Sequence, residues 1–323
     1  MSMDVICLGE LLIDFVSTAK NVSLIHSPGF VKAPGGAPAN VAVGVVKLGG
    51  SAGFIGKVGQ DPFGHYLKQV LDQLNVDTSY LAFDEFARTT LSFVAQNPEG
   101  DRDCMFYRNP GADMQLTPAD ITEDYIRSGT IFHYGSISFG SPSSREATIR
   151  ALEIARASGL YISYDPNLRM DLWKDHEVAK RDINAGFQYA DLVKISEEEY
   201  EFITGCRSVE ECGSYILGQG AKLVIVTMGK DGCYFTNGNA SGYADGFPAN
   251  VVETTGAGDA FVAAMLSQIG KLIRSGESKK IESESELRGM LRFANAAGSI
   301  ATTGFGAIPS LPTLKEVEEL LGL

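Results

Sequence analysis

The residues Glu253–Phe261 read ETTGAGDAF, between an apolar, strand-like run (247–252) and a helix-like run (260–272). Gly256, Ala257 and Gly258 carry no bulky side chains, so their amides are accessible where the helix opens. Such a nest, with the positive end of a helix dipole behind it, holds anions. Two features separate it from a P-loop: the Gly-Lys-Ser/Thr ending is missing, and Asp259 stands where a phosphate would meet negative charge. Phosphoryl transfer needs both parts, donors for charge on the moving group and a carboxylate that positions and deprotonates the attacking hydroxyl. An acid in a first helical turn is also favoured by the dipole alone. That role, however, does not require small residues ahead of the acid. Asp259 is expected as the first or second helical residue.

Outward from this turn, short apolar runs alternate with helix-length amphipathic ones. VICLG, AGFIGKV, TIFHYG, LYISYD, DLVKI and KLVIVT read as buried strands. Helices are expected near 37–49, 63–74, 143–158, 177–187, 209–218, 258–272, 286–303 and 313–321. Near-continuous β-rich strands with intervening helices predict an α/β fold, a mainly parallel sheet covered on both faces. Ligands then belong at the carboxyl ends of the strands. Two regions, 14–33 and 88–108, alternate in strand fashion with no helix following, and Pro98-Glu99-Gly100 is a hairpin turn candidate. They are expected to form a small β lid on a single α/β domain spanning 1–323. The mixed-charge stretch 274–288 reads as a solvated loop or lid edge.

A formal net charge of −13 argues against nucleic acid or an anionic membrane surface as a partner. A phosphorylated ligand stays compatible, because local groups and a metal ion override the global field. The five cysteines are scattered without a CxxC pair, which fits reduced thiols in a cytoplasmic protein better than a disulfide framework. No apolar run is long enough to span a bilayer, and the N-terminal MSMDVICLGE has no basic leader region.

Further candidates cluster at the predicted strand ends. In Gly35-Gly36-Ala37-Pro38-Ala39-Asn40 the glycines permit close backbone approach and Pro38 suits a first helical turn. Asn40 then lies near N3, inside the helix, and its amide suits a sugar's hydroxyls. Asp14 is an acid inside an apolar run. Phe106 and Arg108 share a strand face, offering a ring and a fork of donors, although a cation there also serves to blunt an edge. Arg169 follows the strand LYIS, beyond the turn Asp165-Pro166-Asn167. Lys194 and Ser196 lie on one side of DLVKIS, and the acids 197–199 then open a helix, where they suit either the dipole or a metal-water shell. The turn from Thr227 through Gly229 to Gly232 leaves room for a nucleotide against backbone.

Together these residues resemble the ribokinase-like (pfkB-type) family of carbohydrate kinases. GGAPANVAVGVVKLGG with GFIGKVGQDPFG is similar to the family's N-terminal signature, and ETTGAGDAFVAAM to its C-terminal one. The likeness runs from CLGELLID to GAIPSLP, and LIDFV with DCMFYRNPGADMQLTP resembles the fructokinase branch. The resemblance implies a ribokinase-like three-layer fold and ATP-dependent phosphorylation of a sugar, fructose to fructose 6-phosphate. Asp259 is implied as base and Gly256, Ala257 and Gly258 as anion hole. Asp14, Gly35, Gly36, Asn40, Phe106, Arg108 and Arg169 are implied at the sugar. Lys194, Ser196, Thr227, Gly229, Gly232 and Asn295 are implied at ATP, and Glu199 in the shell of Mg2+ through water. Glu253 stands where the family forms a monovalent-cation (K+) site and commonly has an aspartate, and Ser196 stands where it has an asparagine. A lid that also serves as a homodimer surface is implied too. Kinases of 2-keto-3-deoxygluconate share a lid arginine, so that substrate is the alternative. A silent sugar- or nucleotide-binding protein on this fold is the rival from another class, and its sequence mark, a lost base or glycine turn, is missing here.

Overall fold

The computed structural model describes residues 3–96, 102–173 and 175–323. Elements are numbered along the chain. The larger sheet contains β1 (Met3–Leu8), β4 (Ala52–Gly59), β5 (Leu81–Asp84), β8 (Gly129–Gly135), β9 (Tyr161–Asp165), β10 (Leu192–Ser196), β11 (Leu223–Thr227), β12 (Cys233–Thr236) and β13 (Ser241–Ala244). Its strand order is β13-β12-β11-β10-β9-β8-β1-β4-β5, parallel except at the antiparallel β11-β12-β13 edge. Val5, Ile6, Cys7 and Leu8 of β1 are fully buried. A strand covered on both faces has no solvent side to mark, which is why these strands read as continuous apolar runs.

One face is covered by α1 (Ala37–Lys47), α2 (Pro62–Gln73), α8 (Ala257–Arg274), α9 (Glu284–Ala301), α10 (Ala307–Ser310) and α11 (Leu314–Leu321). The other is covered by α3 (Glu123–Arg127), α4 (Pro142–Ala157), α5 (His176–Phe187), α6 (Tyr200–Thr204) and α7 (Val209–Gly218). The chain leaves β1 toward β4 on one side and returns to β8 on the other. This switch point opens a crevice at the carboxyl end of β1, where open α/β sheets bind ligands.

A second sheet of order β3-β2-β6-β7 joins β2 (Leu12–Ser17), β3 (Phe30–Gly35), β6 (Leu91–Gln96) and β7 (Arg102–Tyr107). It is mixed: β2 runs antiparallel to β3 and parallel to β6, and β6 pairs antiparallel with β7. The expected hairpin is therefore present, while its turn at Pro98-Glu99-Gly100 lies outside the described residues.

Three expectations need correction. Residues 247–252 form no strand. Pro248 supplies no N–H for a ladder, and Val251 and Val252 are 62% and 41% exposed. The stretch 274–288 is not at the lid edge: it starts in the last turn of α8, passes through a 3-10 turn at Ser278–Glu282 and enters α9. It lies at the amino ends of β9 and β11, beside Tyr161, Lys222 and Leu223, and Ile281 anchors it in the core. The acids 197–199 precede the helix they were expected to open, with Glu199 at the N-cap of α6.

Candidate active site

A cavity of about 230 Å³ lies between the carboxyl end of β1, the inner face of the small sheet and the start of α8. Asp14, Gly36, Asn40, Phe106, Arg169, Gly256 and Asp259, predicted from scattered segments, all line it.

Its floor depends on two helix starts. Gly36, at φ 114°, is the N-cap of α1, and a side chain there would strike the Glu10 carbonyl at 2.3 Å. Only glycine lets the helix begin so close to β1. Asn40 then falls at the fourth helical position, 4% exposed. At α8, Gly256 is the N-cap with φ 85°, and a Cβ would meet the Ala307 backbone at 2.9 Å. Asp259 is thereby the third helical residue, one position later than expected, because the left-handed glycine stands outside the helix.

The two helices meet where the Asn40 Nδ2 donates to the Asp259 Oδ2 at 2.8 Å. The Asn40 Oδ1 is buried and has no hydrogen-bond partner among the described residues. A buried acceptor left unmade costs about 1–3 kcal/mol, so a ligand hydroxyl is the natural complement. Burial pushes the Asp259 carboxyl up to about 6; the Asn40 hydrogen bond opposes this, the Asp165 charge adds to it, and Lys194 and Arg169 pull the other way. A carboxyl in this range is ionised at neutral pH yet basic enough to take a proton.

Lys194 is the middle residue of β10, 3.1 Å from Asp165, both buried. Its ammonium lies 3.1 Å from where a Cβ on Gly258 would be, so Gly258 brings the helix start against a cation. Burial works against the Lys194 charge, but Asp165, Glu199 and Asp259 outweigh it and hold its pKa above the usual value. A helix amino end with an ammonium beside it forms a strong anion site.

Other predicted residues have different surroundings. Gly35 ends β3 directly over Asp14, whose Oδ2 lies 2.2 Å from an added Cβ. Arg108 does not line the cavity. The strand stops at Tyr107, so the two-residue alternation no longer holds, and Arg108 turns inward to an ion pair with Asp113, Nε to Oδ2 2.7 Å. Glu199 is buried and accepts hydrogen bonds from the Ser196 N–H and hydroxyl, both 2.9 Å, and from the Leu168 N–H, 2.5 Å. It thereby braces the segment that carries Arg169. Thr227, Gly229 and Gly232 line the turn between β11 and β12, where a Cβ on Gly232 would strike the Ala244 carbonyl at 2.0 Å. Asn295, on α9, donates to the Ala244 and Asp245 carbonyls and fixes the chain after β13. Glu253 accepts from the Thr255 hydroxyl at 2.5 Å and the Gly306 N–H at 2.9 Å, tying the Gly256–Gly258 turn to the loop before α10. Among the described residues no group of three or more His, Cys, Asp or Glu is arranged to hold a metal ion.

Two residues escaped the sequence reading. Glu10 lines the cavity and accepts the Ala37 N–H at 2.9 Å. Its signal was its place directly after a strand's carboxyl end. Asp165, half of the Lys194 pair, was visible only as part of a turn, a role it also fills by accepting the Asn167 N–H at 3.1 Å.

A family model described as pfkB family carbohydrate kinase matches residues 2–314. Fructokinase-2 of Solanum lycopersicum is 46% identical over 318 residues, 98% of this chain and 95% of that one. Among solved structures, a fructokinase with bound ATP from Xylella fastidiosa superposes with a TM-score of 0.91 at 31% identity, covering 99% of this chain and 98% of that one. A Vibrio cholerae O395 fructokinase holding fructose, ADP and calcium gives a TM-score of 0.88 at 32% identity, covering 98% of both chains.

Proposed function

We propose, for a chain that belongs to the pfkB family of carbohydrate kinases, that it is an ATP-dependent fructokinase making fructose 6-phosphate. The observation that carries the reading is Asp259: a carboxylate held by Asn40, facing the cavity, directly behind a turn of bare amides. Fructose lies in the cavity, its O6 against Asp259, with Asn40 and Asp14 on its hydroxyls and Phe106 against its carbon face. Asp259 takes the O6 proton as O6 attacks the γ-phosphorus in line. The amides of Gly256–Gly258, Lys194 and Arg169 receive the charge on the moving phosphoryl group. ATP extends along the carboxyl ends of β10 and β11 toward Thr227, Gly229 and Gly232.

Mg2+ bound with ATP would offset the charge of the phosphates; Glu199, its oxygens engaged by Ser196 and Leu168, would hold it through water. K+ would be held at the Glu253 loop by main-chain oxygens, since both carboxylate oxygens of Glu253 already accept hydrogen bonds. Residues 1–323 act as one α/β unit with the small sheet as its lid, excluding water from ATP. The lid's outer face carries Phe15, Phe30, Phe93 and Tyr107, with Phe15 and Phe93 stacked at 5.0 Å and Tyr107 59% exposed. That apolar face supports a homodimer, and sedimentation as a monomer at micromolar concentration would refute it. Cys7, Cys206, Cys212 and Cys233 are free thiols, in keeping with a cytoplasmic location, and no described helix is long and apolar enough to cross a membrane.

The test is ADP release over a panel of sugars, repeated with EDTA and with K+ replaced by Na+. Fructose is expected to lead, and higher kcat/KM for 2-keto-3-deoxygluconate would overturn the substrate assignment. The pH profile carries its own prediction. The base works ionised, so kcat/KM should fall as pH drops through about 6 and level off above about 7. A flat profile between pH 5 and 8 would remove Asp259 from proton transfer.

A further inference from the structure

Among the described residues, four carboxylates line the sugar cavity, Glu10, Asp14, Asp171 and Asp259, against one guanidinium, that of Arg169. Two further described cations act on these acids, and both are already paired: Lys194, beside Gly258, with Asp165 at 3.1 Å, and Arg108 with Asp113, the latter two side chains 7% and 4% exposed. From this charge balance, and resting on the sugar-kinase reading above, we infer that Glu10 is a specificity-determining residue, whose charge excludes sugar acids and admits neutral sugars.

Glu10 is singled out by its burial. Asp171 is exposed and its field is screened by water. Asp259 is committed to the attacking hydroxyl. Glu10 is 4% exposed, and the Ala37 N–H at the start of α1 fixes one of its oxygens at 2.9 Å. A carboxylate on the ligand would meet this charge in a poorly hydrated space, where like-charge juxtaposition costs several kcal/mol. The Arg108–Asp113 pair sits close enough for both charges to act on Glu10, but its opposing contributions offset one another. Asp113 also accepts the Thr90 hydroxyl at 2.5 Å, so the pair is built into the root of the lid.

The experiment measures KM for fructose and Ki for 2-keto-3-deoxygluconate as its competitor, in wild type and Glu10→Gln. Glutamine keeps an acceptor for Ala37 and removes only the charge. The Ki/KM ratio should fall roughly tenfold or more in the variant; an unchanged ratio overturns the inference. Should the variant not fold, wild type alone decides. Burial pushes the Glu10 carboxyl up to about 7, so Ki/KM should fall from pH 8 to pH 7, above the range near pH 6 where Asp259 titrates, while the sugar acid stays anionic. The charged groups that line the cavity with Glu10 or act on it are Asp14 on β2, Arg108 and Asp113 after β7, Arg169 and Asp171 after β9, and Asp259 on α8. A ratio that does not change with pH contradicts the inference. Fructose turnover with an unchanged ratio defeats the Glu10 assignment alone. Absence of fructose turnover in wild type defeats the sugar-kinase reading and this inference with it.

Discussion

Asp259→Asn is expected to lower kcat about 10²–10⁴-fold, the usual contribution of a positioned base. The fructose KM should change only a few-fold, because the replacement has nearly the same shape and its amide oxygen still accepts from the Asn40 Nδ2. The missing element is the proton acceptor, whose task arises only as O6 attacks. A fall in kcat with little change in KM marks an interaction made in the transition state. Retention of more than about a tenth of kcat would sink the base assignment.

Gly256→Ala should come second, lowering kcat about 10²–10³-fold by moving the donors of the anion hole. Two effects act together at this position. The backbone sits at φ 85°, in the left-handed region that costs an L-residue about 1–2 kcal/mol. The added Cβ would also lie 2.9 and 3.0 Å from the Ala307 Cα and Cβ. The loop before α10 cannot retreat freely, since Glu253 ties it to the turn through the Gly306 N–H. The turn must therefore shift, taking the amides and Asp259 with it. Glu253 thus acts as the brace that holds this turn against its neighbour. Steady-state kinetics with thermal melting checks the prediction: a near-normal kcat would show that the turn tolerates displacement and is no anion hole.

The fold was legible wherever burial leaves a simple pattern. β1, β8, β10 and β11 are sealed on both faces, so their apolar runs stand out, and α7 matched its periodicity at both ends. The run 247–252 misled because its apolar residues are exposed in a loop, and composition alone does not report on burial. Asp259, Asn40 and Gly256 were readable because glycines and a proline fix where their helices start. The contact between Asn40 and Asp259 was not, being separated by 219 residues and set only by the packing of α1 on α8. Arg108 showed the opposite limit. Period two places a side chain only while the strand lasts, and this strand ends one residue too soon. Lys194 was assigned to ATP without its partner, because Asp165 reaches it only from the adjacent strand.

The most direct test of the account is the identity of the product. NMR of the reaction of wild type with ATP and fructose should show phosphorus coupled to the C6 position, formed one for one with ADP. Phosphorylation at C1, or ADP released without a sugar phosphate, would contradict the placement of O6 between Asp259 and the Gly256–Gly258 turn.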